Sequence, residues 1–185
     1  MTWRRGWRCS TRLPNARKRV RPAAWRHVPI AAAAGPGKSS TSVARTLIDT
    51  NVLVYRYDHR FPDKQSTASR VLRECIADGT ARVPHQAIVE FVAATTRGRP
   101  GERLLQHSVA LREAEEIMAQ FPVLYPDETV LRTALRGAAA YGLSWFDAHL
   151  WAYAEVHGLA ELLTEDFQHG RLYGTVTVRD PFRAD

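Results

Sequence analysis

Cysteine is scarce in this chain, and its scarcity removes the commonest ways of stapling a small protein together. Only Cys9 and Cys75 occur among 185 residues. They lie far apart and form no CxxC pair, so neither a disulfide framework nor a zinc knuckle is expected, and a reducing cytoplasm fits. Cys75 falls within an apolar-periodic stretch, the place of a small core side chain. Long hydrophobic runs are missing too. Nothing approaches the roughly 18 apolar residues that a membrane-spanning helix needs, so no membrane partner is expected. Acid is absent from residues 1–45, which hold 11 Lys and Arg, whereas the remainder holds 15 basic and 19 acidic residues for a net of −4. The overall charge of +7 therefore describes the leader, and a basic nucleic-acid-binding surface cannot be read from it.

Residues 1–45 are rich in Arg, Trp, Pro and Ala but follow neither a helical nor a strand period. They cannot bury a continuous face, and the expectation is a disordered basic leader. Three readings of it stay open. Arginine-heavy, lysine-poor sequence is what GC-rich DNA upstream of a later start codon would encode. A basic arm would pair with RNA phosphates and release counterions. A targeting segment needs an apolar core, for which Val28–Ala34 is short, mostly alanine and broken by Pro29. Ala32 to Ser39 loosely imitates a phosphate-binding loop, but no helix of useful length fits between Ser39 and Leu47 to supply the required N-terminus.

From Thr46 onward the pattern changes, and 46–185 reads as one domain. Arg45–Asp49 is a short apolar strand closed by an acid, and Val52–Tyr55 is apolar-periodic. Pro62 opens a helix over Pro62–Asp78, with Ala68, Val71, Leu72, Cys75 and Ile76 on one face and Gly79 as its stop. A small strand at Ala81–Pro84 leads to a helix around Gln86–Thr96 and a loop at Gly98–Gly101. An amphipathic helix over Glu102–Gln120 and a strand at Phe121–Tyr125 follow. Helices over Glu128–Tyr141 and Ser144–His157 are closed by Gly142 and Gly158. Leu162–Thr164 reads as a strand and Val176–Val178 as the last, edge strand. This alternation predicts a three-layer α/β/α sandwich around a short, mostly parallel sheet. Sites in such sheets form beyond the carboxyl ends of the strands.

Four acids fall at such places. Asp49 closes the first strand, Asp166 follows Leu162–Thr164, Asp147 opens a helix, and Glu90 lies on the helix after the second strand. Carboxylates forced together repel one another unless a cation neutralises them. Clustered hard oxygens suit Mg2+ or Mn2+, and such an ion activates water and stabilises charge developing on a phosphodiester. Each acid also has a plainer reading. Asp49 or Asn51 would cap the following helix, Ser144 and Asp147 form a capping box, Glu90 would be a solvated helix residue, and Asp166 a turn residue.

Leu47-Ile48-Asp49-Thr50-Asn51-Val52-Leu53 resembles the opening signature of PIN domains, and Ser144-Trp145-Phe146-Asp147-Ala148 resembles their third-acid segment. Leu163 to Gly170, with Asp180-Pro181-Phe182, resembles the tail of VapC-type toxins. The similarity spans about Thr46 to Phe182. It implies an endoribonuclease dependent on Mg2+ or Mn2+, usually the toxin of a toxin–antitoxin pair and often a homodimer. Its partners would be an RNA substrate and a small antitoxin that covers the acidic site. By motif, Asp49, Asp147 and Asp166 would be metal ligands and Glu90 would complete the catalytic quartet. Thr50, Asn51 and Thr164 would orient the carboxylates. The family's Thr-x-Asp spacing selects Asp166 over Glu165 as the inward acid. Two departures stand out. His149 occupies a position usually aliphatic and reads as packing or surface, pointing away from Asp147. The long leader is also atypical.

The alternative is a catalytically silent PIN-like scaffold that binds RNA or a partner, against which the presence of all four acids argues. A phosphohydrolase with an aspartyl nucleophile needs a second acid where Asn51 stands. A DNA-binding regulator needs a basic recognition helix, which the folded part lacks. For RNA contacts the candidates are Arg97, Arg99 and Arg103, whose plain reading is solvated loop charge.

Overall fold

The computed structural model describes residues 45–99 and 101–183, so the expectations for the leader and its loop-like Ala32–Ser39 segment lie outside the described residues. The chain begins with β1 (Thr46–Ile48), α1 (Thr50–Tyr55), α2 (Pro62–Asp78), β2 (Ala81–Pro84) and α3 (His85–Thr95). It continues through α4 (His107–Gln120), β3 (Val123–Leu124), α5 (Glu128–Tyr141) and α6 (Trp145–Val156). It ends with β4 (Glu161–Leu163), β5 (Leu172–Tyr173) and β6 (Val176–Arg179).

Alternation along the two central strands builds three layers. Successive strand residues face opposite sides. Leu47 and Leu162 thus enter a core shared with α5, α6, β5 and β6, while Ile48 and Leu163 enter a core shared with α1 to α4. The second of these cores also holds Cys75, as expected of a small hydrophobe. Sheet order is β3-β2-β1-β4-β6-β5. All neighbours pair in parallel except β5 with β6. The chain moves from β1 outward to β2 and β3, then returns past β1 to β4. The order therefore reverses between β1 and β4, which opens a crevice at their carboxyl ends.

Helix ends follow local chemistry. Pro62 occupies the first turn of α2, and Gly79, at φ 64°, donates its N–H to the carbonyls of Cys75 and Ile76. Asp127 caps α5 by accepting from Val130 N–H, and Gly142 ends it at φ 66°. Element bounds agree with the sequence reading to within two residues except at the start of α4, and the sheet edge also differs. Residues Glu102–Gln106, read as helix, instead fold back as a turn in which Glu102 N–H bonds to Arg99 O and Leu105 N–H to Thr95 O. Those local bonds compete with helix, which starts only at His107. The edge strand is β5, not β6. Gly174, at φ 60°, opens a two-residue hairpin loop that folds Leu172–Tyr173 back onto β6. Among the described residues no helix is long and apolar enough to cross a membrane.

Candidate active site

The crevice between β1 and β4 is built from the residues that end those strands. Asp49 follows β1 and is 5% exposed, its N–H continuing the ladder to Leu163 O. It is also the N-cap of α1, with Oδ1 accepting from Thr50 N–H at 2.6 Å. Its Oδ2 accepts from the Thr164 hydroxyl at 2.6 Å and from Asn51 Nδ2 at 2.9 Å. All three donors are neutral. The carboxyl is pushed up to about 7, first by burial, with the charges of Asp166 and Glu90 adding and the Thr164 and Thr50 hydrogen bonds opposing.

Thr164 is wholly buried, and its hydroxyl is saturated. It donates to Asp49 and accepts from Asn51 Nδ2 and Asp166 N–H, both at 3.1 Å. Thr164→Val removes the donor to Asp49 and the acceptor for two N–H groups at once. The expected cost is about 1–3 kcal/mol, read from urea midpoints, with Thr164→Ser staying within about 1 kcal/mol of the parent. Equal stabilities for the two variants would show that the hydroxyl network contributes nothing.

Glu90, half-buried on α3, accepts from the Thr50 hydroxyl on Oε2 and from Gln86 Nε2 on Oε1, each at 2.9 Å. Asp147 stands in the first turn of α6, where the Ser144 hydroxyl accepts from its N–H at 3.3 Å and donates to its carboxylate. The capping contact read from sequence is therefore present, with the carboxylate on the cap hydroxyl. Asp166 is exposed at the mouth. Its neighbour Glu165 is engaged elsewhere, by the Tyr55 hydroxyl at 2.6 Å and by Lys64. Glu165 is ion-paired with Lys64, and the charge of Asp166 adds to the field on Asp49.

Asp49 feels the charges of both Glu90 and Asp166, and Thr50 ties Asp49 to Glu90. Asp147 is tied to the Glu90 side through its neighbour, since Gln86 Nε2 also donates to Phe146 O at 3.2 Å. Asp49, Glu90 and Asp166 thus lie close to one another or to shared partners, and Asp147 is linked to them only through Phe146 and Gln86. Among the described residues no three His, Cys, Asp or Glu side chains are arranged to hold a metal ion.

A family model for the PIN domain matches residues 46–174. This chain belongs to the PIN domain family. Among curated proteins none matches its sequence. Solved structures share its fold at low identity. DNA-bound VapBC from Salmonella typhimurium aligns at TM-score 0.56 and 12% identity, covering 75% of this chain and 99% of that one. FitAcB from Neisseria gonorrhoeae aligns at TM-score 0.57 and 20% identity, covering 75% and 99%. VapBC2 from Rickettsia felis, bound to a promoter DNA fragment, aligns at TM-score 0.55 and 10% identity, covering 72% and 96%.

At Asp49 the donor chemistry, though not a closed ligand set, suits a hard divalent cation. Asp49 is a buried carboxylate with only neutral donors, and beside it Asn51 Oδ1 is buried with no hydrogen-bond partner. Carboxylate and amide oxygens are the donors that such an ion prefers.

Sequence reasoning missed Gln86, although its place four residues before Glu90 on one helix was the available signal. His149 packs as expected, half-buried against Trp145 and Tyr153, but it also contacts Gln86 Oε1 at 2.9 Å. It therefore lies one link from Glu90. Of the loop arginines, Arg97 and Arg99 are exposed, while Arg103 Nε locks its own turn by donating to Gly98 O.

Proposed function

We propose that this PIN domain protein is a Mg2+- or Mn2+-dependent endoribonuclease that cuts RNA phosphodiesters and serves as the toxin of a toxin–antitoxin pair. The observation that carries the reading is Asp49, a buried carboxylate with neutral donors only, sitting with Glu90 and Asp166 at the crevice where sheet order reverses. Asp49, Asp147 and Asp166 are the residues that would hold the ion. When bound, it supplies charge neutralisation for the carboxylates and for the phosphodiester, together with activation of water.

The chain's own side chains do the rest. Thr164 and Asn51 fix the direction of Asp49 Oδ2, and Thr50 fixes Oδ1 from the backbone. Glu90, held at both oxygens by Thr50 and Gln86, is placed to accept the proton of the attacking water. Asp166, exposed at the mouth, meets the incoming strand first. In-line attack on phosphorus leaves a 5′-phosphate and a 3′-hydroxyl. The catalytic unit is 46–185, and residues 1–45 take no part in the chemistry. Fold likeness to VapBC and FitAcB supports a cognate antitoxin partner, and a homodimer in the cytoplasm goes with the same reading.

The test is cleavage by the full chain of transfer, ribosomal and messenger RNA, with Mg2+, with Mn2+ and with EDTA. Expected are cuts that need the metal and products with 5′-phosphate ends. Cleavage that survives EDTA contradicts the metal site. A folded, metal-loaded protein that cuts none of the three favours the silent scaffold.

A further inference from the structure

We infer that Gln86 and His149 form a positioning relay that sets the spacing between Glu90 on α3 and Asp147 on α6, an inference that rests on the nuclease reading above. The Gln86 side-chain nitrogen carries two hydrogens and meets two groups, Glu90 Oε1 at 2.9 Å and Phe146 O at 3.2 Å. A carboxylate and a peptide carbonyl only accept. The amide nitrogen must therefore face them, and the amide oxygen must face His149 Nδ1 at 2.9 Å. That oxygen needs a donor, so His149 carries its hydrogen on Nδ1. A flipped amide would set oxygen against two acceptors, and the present orientation is the one in which every contact is a hydrogen bond.

The consequence is geometric. One amide grips the carboxylate of Glu90 and the peptide carbonyl immediately before Asp147, so the two arms of the acidic crevice move together. His149 is a firm anchor for that amide. Its ring lies at 18° to the Trp145 ring with centroids 6.1 Å apart, and it meets Tyr153 edge-on at 5.1 Å. These neighbours stand four residues before and after it on α6, on the same face. Gln86 and His149 touch no reacting atom and act through Glu90 and Asp147.

The relay is tested on the full chain by Mn2+ affinity from calorimetry and by RNA cleavage rate. Gln86→Leu should lower both by about 10–100-fold, the usual effect of removing a residue that orients a metal-site carboxylate. His149→Phe keeps the ring and loses the donor, and should lower both in the same direction. His149→Asn should recover most of the loss, because Asn Nδ2 stands at the same bond distance from Cβ as His Nδ1. The double variant Gln86→Leu/His149→Phe should be no worse than Gln86→Leu alone, since His149 works through Gln86. Nitrogen-15 shifts of the neutral His149 ring should show Nδ1 protonated and Nε2 bare. Additive losses, no recovery with Asn, or a proton on Nε2 would overturn the relay. If the parent binds Mn2+ and cuts RNA while the variants match it, the relay falls and the nuclease reading stands. If the parent binds no divalent ion, the nuclease reading fails and the relay with it.

Discussion

Asp49→Asn should leave a folded protein that neither cuts RNA nor gains stability from metal. Asparagine keeps one oxygen to accept from Thr164 and Asn51, in the place of Oδ2. Its amide then opposes the Thr50 N–H and gives up the cap of α1, at a cost of about 1 kcal/mol. Against this, the change removes a buried charge that Asp166 and Glu90 disfavour. The two effects offset, and the metal-free melting temperature should stay close to that of the parent. Metal separates the two proteins. At about 100 times its dissociation constant a bound ion stabilises the parent by about 2.7 kcal/mol. For a domain of this size that is a rise of roughly 5–10 °C. The variant should show no rise and no cleavage. Cleavage by Asp49→Asn, or a parent whose melting temperature ignores Mg2+ and Mn2+, would remove Asp49 from the centre of the mechanism.

The second large effect is on the fold itself. Gly137 lies where α5 meets α6, and a Cβ added there would stand 2.3 Å from Cζ3 and 2.5 Å from Cε3 of Trp151. The indole cannot slide away freely. It is 5% exposed, its Nε1–H donates to Tyr173 O at 2.9 Å, and its ring packs T-shaped against that of Tyr141 at a centroid distance of 5.3 Å. Helix propensity alone favours Ala over Gly by about 1 kcal/mol. Overpacking opposes it at about 1–3 kcal/mol, and loss of the buried indole hydrogen bond adds about 1 more. Gly137→Ala should therefore be destabilised by about 1–3 kcal/mol, seen as a melting temperature lower by roughly 3–10 °C. Adding Trp151→Phe, which shortens the ring, should make the pair of changes cost less than the sum of the singles. A Gly137→Ala protein more stable than its parent would mean that the two helices are not in contact there.

The sequence was most legible where one residue type had one physical reason to be in place. Pro62 and Gly79 bracket α2, and Gly142 closes α5, because proline opens and left-handed glycine closes helices whatever surrounds them. Asp49, Asp147 and Asp166 were legible as residues at strand ends and a helix start, and Thr164 stands in the tail motif. What was hidden depended on contacts between distant segments. The β5 strand has two residues, too short to carry a period, and exists only because β6 offers it an edge. Residues Glu102–Gln106 carry a helical pattern but fold back through bonds to Thr95 and Arg99 that no periodicity records. Gln86 and His149 are 63 residues apart, and nothing in either neighbourhood announces the other. The Lys64 contact that occupies Glu165 crosses 101 residues, so local spacing could select Asp166 only by resemblance, without this reason.

The most direct test of the account is the position of Mn2+ in a crystal of the full chain, located by anomalous scattering. The expected result is a peak in contact with the Asp49 carboxylate and shared with Asp147 or Asp166, with Glu90 still held by Gln86 and Thr50. A Mn2+ peak away from Asp49, in crystals of protein that cuts RNA, would contradict the assignment of the acidic crevice between β1 and β4 as the catalytic centre.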